Sequence, residues 1–388
     1  MTPIIPGEIL TIDHLVEFRK AIQKSYIKRE GWKFKQSEVY DVEFTYDEIF
    51  DFSKLTIGMS LFNRPVYFES CIQYISKHFP GAKLIVADSS NEKNKKLHWK
   101  AIQTYCNKFS NLDIQHKLFP ENALSLEPIE FIVENAKTPY FLKWDDDDFY
   151  NPIAINSGIQ TMDNDDVIVS VNGPSINIFR NSPDPESDIL VGGHFTPDFN
   201  QTRIHDRLVI LAVATAMTWY NLTRVNVYKN SMNNIMYLKS TKMDQLVDIA
   251  FSLNIAMHGN SHMTDDLFMI RRTGQSRIST NKNHQKRDLI YKLFDESEYA
   301  YFLKFRSKML QTLTQKFSKI TAEFAEHIID DVCKAILLGS DSRSLIFRSL
   351  NRDLLVQASN VDSWVDACRR QPHAINFLLS TISKISKT

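Results

Sequence analysis

Between Leu55 and Trp144 four short apolar runs recur, each separated from the next by a stretch of helical length. The first, Leu55 to Ser60, gives way to Asn63-Arg64-Pro65, and Pro65 suits the first turn of a helix. Val66, Phe68, Cys71, Ile72 and Ile75 then fall on one helical face, and Pro80-Gly81 closes it. The second run, Leu84-Ile85-Val86-Ala87, stops at Asp88-Ser89-Ser90 and leads into a Lys-rich helix over about 92–108. A third strand at 112–118 and a third helix over about 126–136 precede the fourth run, Tyr140 to Trp144. Strands separated by helices at this interval build βαβ units and a mainly parallel sheet. Their crossovers are right-handed, so the carboxyl ends of the strands line one edge. The expected fold class is α/β.

Downstream, 166–171 and 176–180 read as further strands, followed by a Gly-, Pro- and Asp-rich stretch over roughly 181–207 and an apolar run from Leu208 to Trp219. Arg224 to Tyr228 has the residue types of another strand, and a helix is expected over Met243–Met257. From about residue 285 the pattern is helical. Phe302, Phe305, Met309, Leu313, Phe317, Ile320, Phe324 and Ile328 fall at three- and four-residue steps, a stripe that predicts core packing of a helical appendage. At 388 residues there is material for about two domains. The expected division is an N-terminal extension (1–50), an α/β domain (51–284) and a helical C-terminal region (285–388).

Lys plus Arg and Asp plus Glu balance at 46 each, so no net field draws in nucleic acid or an anionic membrane. The four cysteines, Cys71, Cys106, Cys333 and Cys368, form no Cys-x-x-Cys pair, which argues for a reducing compartment rather than a disulfide scaffold or zinc site. The first residues lack a basic segment followed by an apolar core, and there is no apolar run of about 18 residues. Neither a signal peptide nor a membrane span is therefore expected. The expected location is cytoplasmic, with peripheral contact at the inner membrane face left open.

The fourth run ends on Asp145-Asp146-Asp147-Asp148. Adjacent carboxylates repel one another unless solvent or a cation screens them. Two uses compete: a solvated acidic turn capping the helix that starts near Asn151-Pro152, and a cation site at the carboxyl end of a strand, where ligands bind in open α/β sheets. The rigid apolar strand leading in favours the second. Alternation along an extended chain puts Asp145 and Asp147 on one side and Asp146 and Asp148 on the other. Two carboxylates on one side suit Mg²⁺ or Mn²⁺ shared with a diphosphate.

The segment from Tyr140 to Pro152 resembles the Asp-x-Asp region of GT-A glycosyltransferases, especially the large family 2. Leu55 to Pro65 is similar to that family's opening strand and Asn-Arg-Pro loop, and Leu84 to Ser90 to its second strand. The resemblance covers about residues 52–275 and implies a Rossmann-like GT-A domain, a mainly parallel sheet flanked by helices. It also implies a UDP-linked sugar donor, Mn²⁺ or Mg²⁺, and transfer with inversion to a saccharide, lipid or protein acceptor, as in polysaccharide biosynthesis. Asp88 and Ser89 would contact the base, and Ser60, Asn63 and Arg64 the nucleoside. Asp145 would lie by the ribose and metal, with Asp146 beside it. Asp147 would be the principal metal ligand, Asp148 the extra acid that often follows the motif, and Lys143 a phosphate contact.

The chain also departs from the pattern. Phe119 to Ser125 lacks the glycine of the usual Asn-x-Gly segment, and the Glu-Asp pair near the acceptor site is not evident. Asp244 is the first choice for the base that takes the acceptor proton, with a helix N-cap as its alternative role, and Asp265, beside Asp266, is the substitute. His258 and His262 are candidates for a third metal ligand or for structural roles. A nucleotidyltransferase is disfavoured because Leu61–Pro65 has no Gly-rich basic loop for a triphosphate. A decayed GT-A domain that only binds carbohydrate or nucleotide stays open. The helical tail is a candidate for homodimerisation, acceptor holding or docking on a partner or membrane surface.

Overall fold

The computed structural model describes residues 33–35 and 50–340, apart from 109–112, 125, 174, 181–187, 195–198, 215–217, 242, 265, 267 and 274–295. Most of the N-terminal extension and everything beyond residue 340 therefore lie outside the described residues.

A seven-stranded sheet organises the chain. It comprises β2 (Leu55–Leu61), β3 (Lys83–Asp88), β4 (Asp113–Leu118), β5 (Tyr140–Lys143), β7 (Ile168–Asn172), β10 (Leu222–Arg224) and β11 (Asn260–Met263), in the order β11-β7-β10-β5-β2-β3-β4. The β5-β2-β3-β4 run is parallel throughout, and only β10 pairs antiparallel with its neighbours. The chain steps outward from β2 to β4 and then returns to place β5 on the other side of β2. The crevice between the carboxyl ends of β2 and β5 is thus a topological switch point, where ligands lie in such sheets. The expected α/β class, a mainly parallel sheet flanked by helices, is the observed architecture.

Alternation along each strand sends side chains to two separate cores. Ile57, Met59, Leu84, Val86 and Leu142 pack on one face with α1 (Pro65–His78) and α4 (Pro152–Asn164). Ile85, Ala87 and Phe141 pack on the other with α3 (Leu126–Asn135), α6 (Val225–Ile235) and α7 (Asp244–His258). α2 (Glu92–Lys108) lies against α1. At Gly58 there is no room for a side chain: a Cβ there would sit 2.4 Å from Ile132 Cγ2 of α3 and 2.6 Å from the Phe141 ring.

A second sheet, β1-β9-β8-β12-β6, joins β1 (Lys33–Lys35), β6 (Asp148–Tyr150), β8 (Ser175–Arg180), β9 (Asp188–His194) and β12 (Met269–Thr273). Its strand β6 begins at the last aspartate of the acidic run, and β12 pairs with it so that Arg271 stands opposite Asp148.

One expectation needs correction. The strand expected over Arg224–Tyr228 ends at Arg224, and Val225 onward is helix α6, whose buried residues Val227, Tyr228, Ser231, Met232 and Ile235 follow helical rather than alternating spacing. The C-terminal stripe runs over two helices. It divides into α8 (Glu296–Lys316) and α9 (Ala322–Ser340), which breaks the register so that Phe324 is 51% exposed while Ile328 is buried. Phe302, Phe305, Met309, Leu313 and Ile328 join the same core as α3, α6 and α7, as the stripe predicts. The apolar run before Trp219 supplies α5 (Ile204–Ala214), on which α9 packs. Among the described residues, no helix is long and apolar enough to cross a membrane.

Candidate functional site

The end of β5 is clamped by aromatic side chains. Trp144 donates its indole N–H to the Asp148 carbonyl at 2.7 Å, and its backbone N–H bonds the Gly58 carbonyl at 2.9 Å. The Tyr150 hydroxyl reaches the Lys143 and Tyr220 carbonyls at 3.0 and 3.1 Å, and Tyr74 donates to the Tyr150 carbonyl at 2.7 Å. Held this way, the chain turns at Asp146-Asp147, with the Asp148 N–H returning to the Asp145 carbonyl at 3.1 Å. The turn defeats the alternation expected for an extended chain. Asp145, Asp147 and Asp148 converge, each offering an oxygen within 4.8 Å of the others. Asp148 joins the group rather than capping α4, whose N-cap is Asn151, accepting from the Ile153 N–H at 3.1 Å.

Cations from three elements enclose the turn. Arg64, in the loop after β2, donates to Asp147 at 2.9 Å and also pairs with Asp146. Lys143 bonds Asp145 at 2.6 Å, and Arg271 on β12 lies 3.5 Å from Asp148. Tyr220 ties them together: its hydroxyl donates to Asp145 at 2.7 Å, while the Lys143 ammonium and Arg271 guanidinium lie 4.6 and 4.3 Å from its ring centre. Burial alone would push the Asp145 carboxyl up, but Lys143 and the Tyr220 hydroxyl hold it below the usual range. Burial raises Asp146 to about 8; Arg64 works against that rise and the neighbouring carboxylates add to it. Burial together with the Asp145 charge pushes the Tyr220 phenol up to about 12.

The converging donors are carboxylate oxygens, hard ligands that fit Mg²⁺ or Mn²⁺. Among the described residues the group contains no histidine. His258 closes α7 with Nδ1 2.8 Å from the Asn254 carbonyl, and His262 lies on β11.

The other strand ends form a knitted loop layer. Ser60 lies near the end of β2, and Asn63 follows with φ 55°, a left-handed conformation that asparagine tolerates. Its N–H donates to Ser90 Oγ at 2.8 Å, and its side-chain oxygen accepts from the Asn91 N–H and Asn94 Nδ2 at 2.9 and 3.0 Å. Ser89 donates its N–H to the Leu61 carbonyl at 3.0 Å. Asp88 is fully buried, bonded by the Ser90 N–H and by His98 Nδ1, both at 2.9 Å, with His116 Nε2 at 3.6 Å. Burial opposes its charge, but His116, His98 and Ser90 together hold the carboxyl well below its ordinary value. Asp88 thus anchors the loop layer from inside, and the exposed rim is left to neighbouring side chains.

A cavity of about 230 Å³ opens beside Lys143 and Tyr220, with Trp219, Leu238, Val247 and Asp248 among its lining residues. Sequence patterns single out neither Tyr220 nor Asp248. Tyr220 merely ends an apolar run, and Asp248 is an ordinary polar position on a helix. Asp244 is the first residue of α7, after a Met243 N-cap, four positions before Asp248. Asp265 lies outside the described residues.

No protein-family model and no curated protein matches the chain. Solved structures similar to it include S. aureus TarS 1–349, at 13% identity over 81% of this chain and 78% of that one, with a TM-score of 0.46. The same protein in complex with UDP-GlcNAc matches at 14% identity over 82% and 92%, with a TM-score of 0.47. The mannosyltransferase PcManGT from Pyrobaculum calidifontis, in complex with GDP-Man and Mn²⁺, matches at 11% identity over 92% and 96%, with a TM-score of 0.39.

Proposed function

We propose that this chain is a metal-dependent GT-A glycosyltransferase, moving a sugar from a nucleotide donor, UDP-linked as first choice, to a hydroxyl of a saccharide, lipid or protein with inversion. The observation that carries this is the carboxylate group of Asp145, Asp147 and Asp148 at the carboxyl end of the middle strand of a mainly parallel sheet, at its switch point. A Mg²⁺ or Mn²⁺ held by these three would neutralise charge gathering on the departing diphosphate. Around it, Arg64, Lys143 and Arg271 stand ready to exchange carboxylate partners for phosphate oxygens. Asn63, Ser89 and the loop beyond Ser60 support the rim on which the nucleoside would rest, with Asp88 holding that rim from within. Glycosyl transfer also needs a carboxylate to take the acceptor proton; Asp244 and Asp248 on α7 are candidates, and Asp265 a third.

Thermal melting with UDP and Mn²⁺ tests the donor site. Together they should stabilise the protein by about 2.7 kcal/mol at a hundredfold excess over Kd, with neither effective alone and EDTA reversing the shift. Asp147→Ala should remove the shift while the chain stays folded. An unchanged shift in that variant would sink the metal assignment.

A further inference from the structure

We propose that the cavity beside Lys143 and Tyr220 is the acceptor site, that it takes a single saccharide ring, and that Asp248 is the base; this rests on the donor assignment above. The cavity shares Lys143 and Tyr220 with the acidic turn, so a molecule inside it lies next to the groups assigned to the departing diphosphate. At about 230 Å³ it falls below the roughly 300–1,000 Å³ of sites for drug-sized ligands, which leaves room for one ring. Its lining suits a sugar, whose C–H faces need apolar contact and whose edges need hydrogen bonds. Leu238, Val247 and the Trp219 ring supply the first, while Asp248 and Lys239 supply the second.

Trp219 forms a fixed wall of the cavity. Its residue is only 4% exposed, one ring face is covered by Phe251 at 3.9 Å, and its indole Nε1–H has no hydrogen-bond partner among the described residues. Asp248 is the carboxylate that lines the cavity, half-buried on α7. In the transfer step the acceptor O–H gives its proton to the Asp248 carboxylate as its oxygen bonds the anomeric carbon. The bond from that carbon to the diphosphate oxygen breaks, and the electron pair leaves with the nucleoside diphosphate. Among the residues that line the cavity Asp248 carries the carboxylate, and its place there is what assigns it the proton.

The test follows nucleoside diphosphate release from UDP-GlcNAc, UDP-glucose and GDP-mannose with Mn²⁺, with and without methyl glycosides of glucose, galactose and N-acetylglucosamine as acceptor probes. At least one glycoside should accelerate release by the wild-type protein. Asp248→Asn should cut that acceleration by about a hundredfold or more, while its melting shift with UDP and Mn²⁺ stays at the wild-type value. Trp219→Phe should raise the half-saturating glycoside concentration severalfold and leave the nucleotide shift unchanged. Acceleration preserved in Asp248→Asn, or a wild-type protein that hydrolyses a donor and responds to no glycoside, overturns the proposal alone. No melting shift with any nucleotide and Mn²⁺ in the wild type overturns the donor assignment, and this proposal falls with it.

Discussion

Arg64 decides the electrostatics of the acidic turn. Four consecutive carboxylates would repel one another, and one guanidinium spans two of them, Asp146 and Asp147. Both carboxylates are almost wholly buried, so removing the cation leaves charge with little solvent to screen it. Arg64→Met should cost about 2 kcal/mol in urea unfolding without metal, since Arg64 is partly exposed and Asp146 can take up a proton. An unchanged midpoint would show that solvent already screens the turn. Lysine should not restore the loss, because a point charge cannot bridge two carboxylates as the planar fork does. At this scale the sequence was informative where chemistry is local: Asp145 and Asp147 were identifiable from their position after an apolar strand. The place of Asp148 was not, because it depends on a turn fixed by Trp144, Tyr150 and Tyr74.

Gly58 shows what holds the switch point open. β2 is buried along its length, and α3 rides so close over it that Ile132 and Phe141 fill the space of a side chain. Gly58→Ala should destabilise the fold by about 2 kcal/mol through overpacking, read from chemical denaturation. Because β2 and β5 pair directly at Gly58 and Lys143, the same change should weaken the UDP and Mn²⁺ melting shift. A variant with wild-type stability would mean that α3 moves aside freely. Elements β2 to β5 were readable because their apolar runs are short, regular and punctuated by helices. Helix α6 was not, since Val225 to Tyr228 carries strand-like residues and its partners, Phe141 and Phe251 against Tyr228, come from distant segments.

The C-terminal helices make one body with the sheet. His205 on α5 reaches Asp331 on α9 at 2.9 Å and Asp206 at 3.1 Å, with Arg203 3.3 Å from Asp206 and His327 3.5 Å from Asp331. The bond to Asp331 raises the His205 pKa; burial opposes this and Asp206 adds to it. Its folded value therefore lies above the unfolded one of about 6.5. The stabilisation is fully present below that unfolded value and is lost as pH rises through the raised folded value. Amide hydrogen exchange, corrected for its intrinsic pH dependence, should show α9 less protected relative to β2 at pH 9 than at pH 6. His205→Gln should flatten that difference. A pH-independent ratio in the wild type would mean that the apolar face of α9 holds it unaided.

The sequence by itself determined the α/β architecture, the helical tail and the acidic end of β5, because each is written in neighbouring residues whose spacing has one physical meaning. Tertiary structure decided the rest: which carboxylates converge, that Asp88 turns inward, and that Arg64, Tyr220 and Arg271 meet around one turn. Those outcomes depend on how turns and elements pack against one another, and the spacing of neighbours along the chain carries no record of that packing. Asp145 to Asp148 would be four equal charges in an unfolded chain. Packing makes them unequal, because Lys143 takes Asp145, Arg64 spans Asp146 and Asp147, and Arg271 faces Asp148, each at its own depth in a medium where screening is weak.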